Sequence, residues 1–189
     1  MGLSELITET ETVWQRLKQT TKPIYIYGMG DGALKILRVL EQYNIKITGF
    51  FASDEFVRGH SFMGYKVHTL AEVESMHPDI FVVMAFGIHD TPTINRILQI
   101  KHELVAPDVP VVGDGLFDFD FFNEHIEELN RVYEILADEQ SKKVYCDLIN
   151  YKLSGKLSYL SNCTTTVDEA YSNILKLNGD ECFADLGAY

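Results

Sequence analysis

The chain has 189 residues, 46% of them hydrophobic and 12% aromatic, which suffices for the core of one ordinary domain and excludes an intrinsically disordered chain. A formal net charge of -12 without any lysine or arginine cluster argues against nucleic acid or an anionic membrane surface as partner; an anionic small ligand would have to be met by backbone amides. Cys146, Cys163 and Cys182 are odd in number and form no C-x-x-C pair, and no apolar run reaches about 18 residues, so the reading is a reduced, cytoplasmic chain with no disulfide framework, zinc site or membrane span.

In chain order, Ser4 is placed to cap a first helix with Leu6, Ile7, Val13, Trp14 and Leu17 on one face. Ile24 to Tyr27 is a short uncharged run of β-branched and aromatic residues, the composition of a strand buried on both faces of a parallel sheet. Gly28, Gly30 and Ala33 then satisfy G-x-G-x-x-G/A, and Ile36, Leu37 and Leu40 follow at helical spacing. The first glycine makes a tight turn, the second lets a phosphate approach the backbone, and the small third residue lets helix pack on strand. With Gly32, this turn presents amides at a helix N-terminus, so Gly28, Gly30 and Gly32 are candidate ligand-binding residues; a bare structural turn is the competing reading.

Ile45 to Phe51 reads as a second strand, followed by Asp54 and Glu55. Asp54 lies 26 residues beyond Gly28, past the spacing of about 20 expected for a ribose-binding acid, and is either that acid or a solvated loop carboxylate. Thr69 caps a short helix through Glu72 and Val73. The run from Asp79 to Gly87 is the most hydrophobic of the chain and the best candidate for a central parallel strand. At its carboxyl end, His89 and Asp90 either contact a ligand or cap the next helix, which is expected over Thr93 to Leu104. Val109 to Val112 is expected to be an edge strand because Pro110 cannot donate to a central ladder.

Beyond Gly115 the pattern turns helical. Phe122, Ile126, Leu129, Tyr133 and Leu136 mark a long amphipathic helix with Asp118 and Asp120 near its start, and Val144 to Ile149 a second one closed near Gly155. Asn178-Gly179-Asp180 reads as a turn, Glu181 to Ala184 as a nascent strand, and Asp185 to Tyr189 as the start of another glycine loop at which the sequence stops. A fragment whose second domain is missing, or a C-terminal strand with a frayed end, accounts for that stop.

Tyr25 to Ala33, Ile47 to Phe51 and Gly64 to Val67 resemble the Rossmann-like N-terminal domain of nucleotide-sugar-modifying proteins, including sugar acyltransferases of the PglD type. Tyr133 to Ser141, Asn150 to Gly155 and Phe183 to Tyr189 are similar to the region leading into the catalytic domain of FkbM-type methyltransferases. That resemblance implies that Asp185 and Gly187 open an S-adenosylmethionine loop, and that residues completing the cofactor site lie beyond Tyr189.

The expected architecture is therefore α/β: a Rossmann-like, doubly wound parallel sheet over residues 1–113, a helical connector over 114–178, and the first strand of a methyltransferase domain over 179–189. The resemblance implies the N-terminal portion of an S-adenosylmethionine-dependent O-methyltransferase acting on a sugar or related small molecule. The fragment itself is expected to be catalytically silent, with no catalytic residue or metal ligand assigned. The alternative from another class is a non-catalytic module binding a nucleotide sugar or diphosphate at Gly28, Gly30, Gly32, Asp54 and His89. A nicotinamide oxidoreductase follows from the glycine fingerprint alone and ranks below both.

Overall fold

The computed structural model describes residues 2–57, 59, 61–87, 91–163, 169–180 and 182. Two short helices, α1 (Leu3–Leu6) and α2 (Val13–Gln19), precede an alternating run: β1 (Ile24–Tyr27), α3 (Asp31–Gln42), β2 (Gly49–Phe51), α4 (Asp54–Val57), β3 (Ser61–Phe62), β4 (Tyr65–His68), α5 (Leu70–Met76), β5 (Phe81–Met84), α6 (Thr91–Gln99) and β6 (Glu103–Val105). The six strands form one sheet in the order β3-β4-β2-β1-β5-β6. Every pairing is parallel except that of β3 with β4, which form an antiparallel hairpin at one edge. This is an α/β fold, with β1 and β5 paired on both sides as their unbroken hydrophobicity requires.

Side-chain alternation divides the sheet between two cores. Ile24 and Ile26 of β1, Phe81 and Val83 of β5, Phe50 and Val67 face a core closed by Val13, Trp14 and Leu17 of α2 and by Ala33, Ile36 and Leu40 of α3. Tyr25, Tyr27, Phe51, Val82 and Met84 face the other, closed by Val73 of α5 and Ile97 of α6. Thr69 and Glu72 form the expected capping box at the start of α5. No helix among the described residues is long and apolar enough to cross a membrane.

Four boundaries differ from expectation, the first being that the second strand, expected over Ile45 to Phe51, is confined to Gly49–Phe51. The single N-terminal helix is two helices, and Thr12 rather than Ser4 caps the longer one, through a capping box with Gln15. Among the described residues the last strand is β6, not Val109 to Val112: α6 ends at Gln99, which releases Leu104 and Val105 to pair with Val82 and Val83. Val111 and Val112 are instead 81% and 88% exposed. The long amphipathic helix is broken at His125 into α7 (Phe119–Glu124) and α8 (Ile126–Ile135), with Asp118 capping the first of them through the Phe121 N–H.

The helix expected before Gly155 is α9 (Glu139–Ser154), closed by Gly155 in the left-handed conformation at φ 66°. Its Cys146, Ile149 and Leu153 bury against Leu3 and Phe122, so the N-terminus of the chain packs into the helical region. The link between α1 and α2 is held by Asn150, which is 2% exposed. Its Oδ1 accepts from the Thr8 and Glu9 backbone amides at 2.9 and 3.1 Å, and its Nδ2 donates to the Cys146 carbonyl. Glu9, in turn, accepts from Lys156 and Tyr159. Replacing Asn150 by alanine strands two backbone donors in a part-buried setting, and a loss of about 2–3 kcal/mol in chemical denaturation is expected. Faster amide exchange at Thr8 and Glu9 should accompany it; an unchanged exchange rate would contradict this account.

Candidate functional site

The turn after β1 is shaped by close packing. Gly28 adopts φ 110°, and a Cβ there would lie 2.7 Å from Cδ1 of Phe86. Its N–H donates to the Phe51 carbonyl at 2.9 Å, continuing the sheet ladder by one residue, while the Ala85 N–H donates to the Tyr27 carbonyl at 3.0 Å. Gly32 is the point of closest approach between α3 and the loop after β5, since a Cβ there would sit 2.2 Å from the Ala85 carbonyl oxygen. Gly30 differs from both. It stands at φ 109° as the residue before α3, and a Cβ built on it meets nothing within 4 Å. The first intrahelical bond runs from the Leu34 N–H to the Gly30 carbonyl, so the N–H groups ahead of Leu34 in the first turn of α3 have no acceptor within the helix. Asp31 turns its carboxylate along the helix to Lys35 Nζ, at 2.6 Å, which offsets its charge near those amides.

A cavity of about 330 Å³ opens at the carboxyl ends of β1, β2 and β5. Gly28 and Met29 border it from the first turn, Ser53 and Phe56 from the segment after β2, Phe86 from the loop after β5, and Arg96 from α6. Tyr27 and Phe86 of its lining meet edge to face with centroids 4.8 Å apart, and Phe51, which borders the second cleft, stacks parallel to Tyr27 at 4.6 Å. The Tyr27 hydroxyl reaches Ser53 Oγ at 2.8 Å, which fixes the serine at the tip of β2. A second cleft of about 580 Å³ shares Tyr27, Ala52, Ser53 and Arg96 with the first and extends past Asp54 and Glu74 to Lys101.

Arg96 spans the mouth. Its Nη1 donates to Glu55 Oε1 at 2.7 Å and its Nη2 to Thr93 Oγ1 at 3.2 Å, tying α6 to α4 across the opening. The hydrogen bond from Arg96 is the main reason the Glu55 carboxyl is held below the ordinary glutamate range. Among the described residues, no group of three or more His, Cys, Asp or Glu side chains is arranged to hold a metal ion.

Of the three glycines of the turn, Gly28 lines this cavity, whereas Gly30 and Gly32 are not among its lining residues: Gly28 and Gly32 permit close packing, and Gly30 has open space where a side chain would stand. Asp54 is exposed at the start of α4 and borders the second cleft, whereas Ser53 occupies the tip of β2. His89, Asp185 and Gly187 lie outside the described residues. Sequence reasoning missed Ser53, Phe56, Phe86 and Arg96. The available signal was positional, since Phe86 directly follows the most hydrophobic strand and Arg96 lies one turn beyond Thr93 on the next helix.

Gly32→Ala should cost at least about 2 kcal/mol in denaturant unfolding, because its methyl group meets backbone and not a yielding side chain; a loss below half of that would show that the turn relaxes. The Glu55 carboxyl, followed by NMR, should titrate below the ordinary value of about 4.3 in the native chain and return toward it in Arg96→Gln. Since the native value is depressed, the contribution of this pair is present above the ordinary glutamate value and is lost as pH falls through the native one. Comparison with protein-family models, curated proteins and solved structures gave no match for this chain.

Proposed function

We propose that the α/β part of the chain is a Rossmann-like, doubly wound module that binds a nucleotide sugar or related diphosphate in the cleft at the carboxyl ends of β1, β2 and β5. The observation carrying this reading is the convergence of Gly28 and Met29 of the glycine turn, of Ser53 and of Arg96 on one cavity, next to a Gly30 whose Cβ position is open. Taken alone, the five parallel strands run β4-β2-β1-β5-β6, the order 3-2-1-4-5 of dinucleotide-binding sheets, in which ligands sit where the order reverses, beside the first strand. The cavity is at the small end of the range for ligand sites, about 300–1,000 Å³, and the adjoining cleft gives the extra length a sugar diphosphate needs. Gly30 offers backbone approach to one phosphate and Arg96 a charge to another.

A second reading, that this module belongs to an FkbM-like O-methyltransferase using S-adenosylmethionine, is supported by the similarity of residues 133–155 and of the Asp185-Leu186-Gly187-Ala188 motif. In it, the module holds the nucleotide handle of a sugar acceptor in the cytoplasm, while Asp185 and Gly187 begin the cofactor loop. The reading frame beyond Tyr189 tests it: a further glycine-rich, α/β-patterned stretch supports the methyltransferase, and a stop codon leaves the binding module.

For the binding module, calorimetric titration of the 189-residue chain with uridine and thymidine diphosphate sugars should show weak binding, and S-adenosylmethionine none. Gly30→Val should abolish diphosphate binding, since its side chain enters the open space above the turn. Absence of diphosphate binding at millimolar concentration would make the turn purely structural; tight binding of S-adenosylmethionine would overturn the division of roles.

A further inference from the structure

The Arg96–Glu55 pair is built differently from the other ion pairs around it. It joins two elements that face each other across a cavity mouth, α4 after β2 and α6 after β5, and the guanidinium lines both clefts. Glu55 borders only the second cleft, so the ion pair lies where the two spaces meet. Both partners are half-exposed, at 44% and 51%, so the pair is solvent-accessible and can be exchanged without unfolding either helix. A carboxylate oxygen accepting from an arginine Nη at 2.7 Å presents the same chemistry as a phosphate oxygen.

We propose that Glu55 is an internal stand-in for the ligand's anionic group: it occupies Arg96 in the empty cleft, and a phosphate of the bound diphosphate takes its place. The inference rests on the binding-module reading and adds to it the two residues that set anion selectivity. In a chain of net charge -12, an unoccupied guanidinium in a partly apolar cleft would attract any small anion. Holding it with Glu55 requires an incoming group to outcompete a carboxylate already in place. A diphosphate anchored at a second point, the glycine turn, meets that condition, and a lone inorganic anion meets it poorly. The aromatic side chains on either flank, Phe56 and Phe86, leave an apolar slot for the uncharged part of such a ligand.

The test is a double-mutant cycle read by calorimetry with uridine diphosphate, inorganic pyrophosphate and uridine as probes. Glu55→Gln should tighten uridine diphosphate binding about two- to five-fold, the worth of an exposed ion pair, and leave uridine unchanged. Arg96→Gln should weaken it about tenfold, as loss of a charge-assisted bond does, and in that background Glu55→Gln should give no further gain. If uridine diphosphate binds the native chain but Glu55→Gln binds it equally, or tightens it as much in the Arg96→Gln background, the stand-in role is wrong while the module reading stands. If neither uridine diphosphate nor pyrophosphate binds any of these proteins at millimolar concentration, both are wrong.

Discussion

Strand β1 is shared by two hydrophobic cores, and the remaining architecture follows from that constraint. Ile24 and Ile26 bury on one face, Tyr25 and Tyr27 on the other, and none is more than 5% exposed. Burying side chains of this size is worth about 1.5–3 kcal/mol each, so both faces have to be covered. Parallel neighbours supply the cover, because each must be reached by a crossover and the crossovers carry the helices. The same strand fixes the site. Where β1 ends, the Gly28 N–H still donates to Phe51 of β2 and the Tyr27 carbonyl still accepts from Ala85 after β5, so the chain leaves the sheet from a rigid point and turns at once into α3. A helix terminus placed on such a support keeps its direction, which a loop would not guarantee.

The electrostatic character of the cleft is local and opposes that of the whole molecule. The chain carries 28 acidic against 16 basic residues, a balance that slows the approach of anions at low ionic strength. Among the described residues that line the first cavity the charged side chain is Arg96; of the acids near it, Glu55 is engaged by the guanidinium and Asp31 by Lys35, while Asp54 is exposed beside the second cleft. Charges paired in this way present little net field to the outside, yet can be rearranged when a ligand supplies a better geometry. Selectivity for anchored anions over free ones is consistent with such an arrangement.

The parts of the molecule governed by local rules were legible in the sequence. Hydrophobic runs marked β1 and β5, glycines marked the turn into α3, Thr69 and Glu72 marked α5, and Gly155 marked the end of α9. Where the deciding contact is distant, reading failed. Asn150 draws in the amides of Thr8 and Glu9 across more than 140 positions, which is why a helical pattern spanning both α1 and α2 does not form one helix. Pairing with β5 selects Glu103–Val105 as the edge strand beside it, although Val109 to Val112 is the more apolar segment. The glycine end of the site was visible because its requirement is conformational. Arg96, Phe56 and Phe86 were not, because their importance comes from which elements the sheet order brings together.

That dependence on sheet order extends to the helices beyond β6. Arg96 is carried by α6, whose buried Ile97 packs in the same core as Val82 and Met84 of β5 and as Ala106 just after β6. Ala106 is held from outside the sheet, since its N–H donates to the Gly155 carbonyl at 2.8 Å, and a Cβ on Gly155 would come within 3.2 Å of the Ala106 carbonyl group. Two residues further, Asp108 pairs with Lys152 at 2.6 Å, and Tyr151 and Leu157 fill the core beside Ala106. A continuous set of packed contacts thus runs from α9 through Ala106 to Ile97, one residue from the guanidinium at the cleft mouth. The helical region therefore does more than connect. By bracing the exit of β6 it helps define where α6 lies over the sheet, and with it how far Arg96 stands from the glycine turn. A geometry set by dense packing resists small displacements, and the two-point binding proposed for this cleft needs that resistance to hold its two anchors at one spacing.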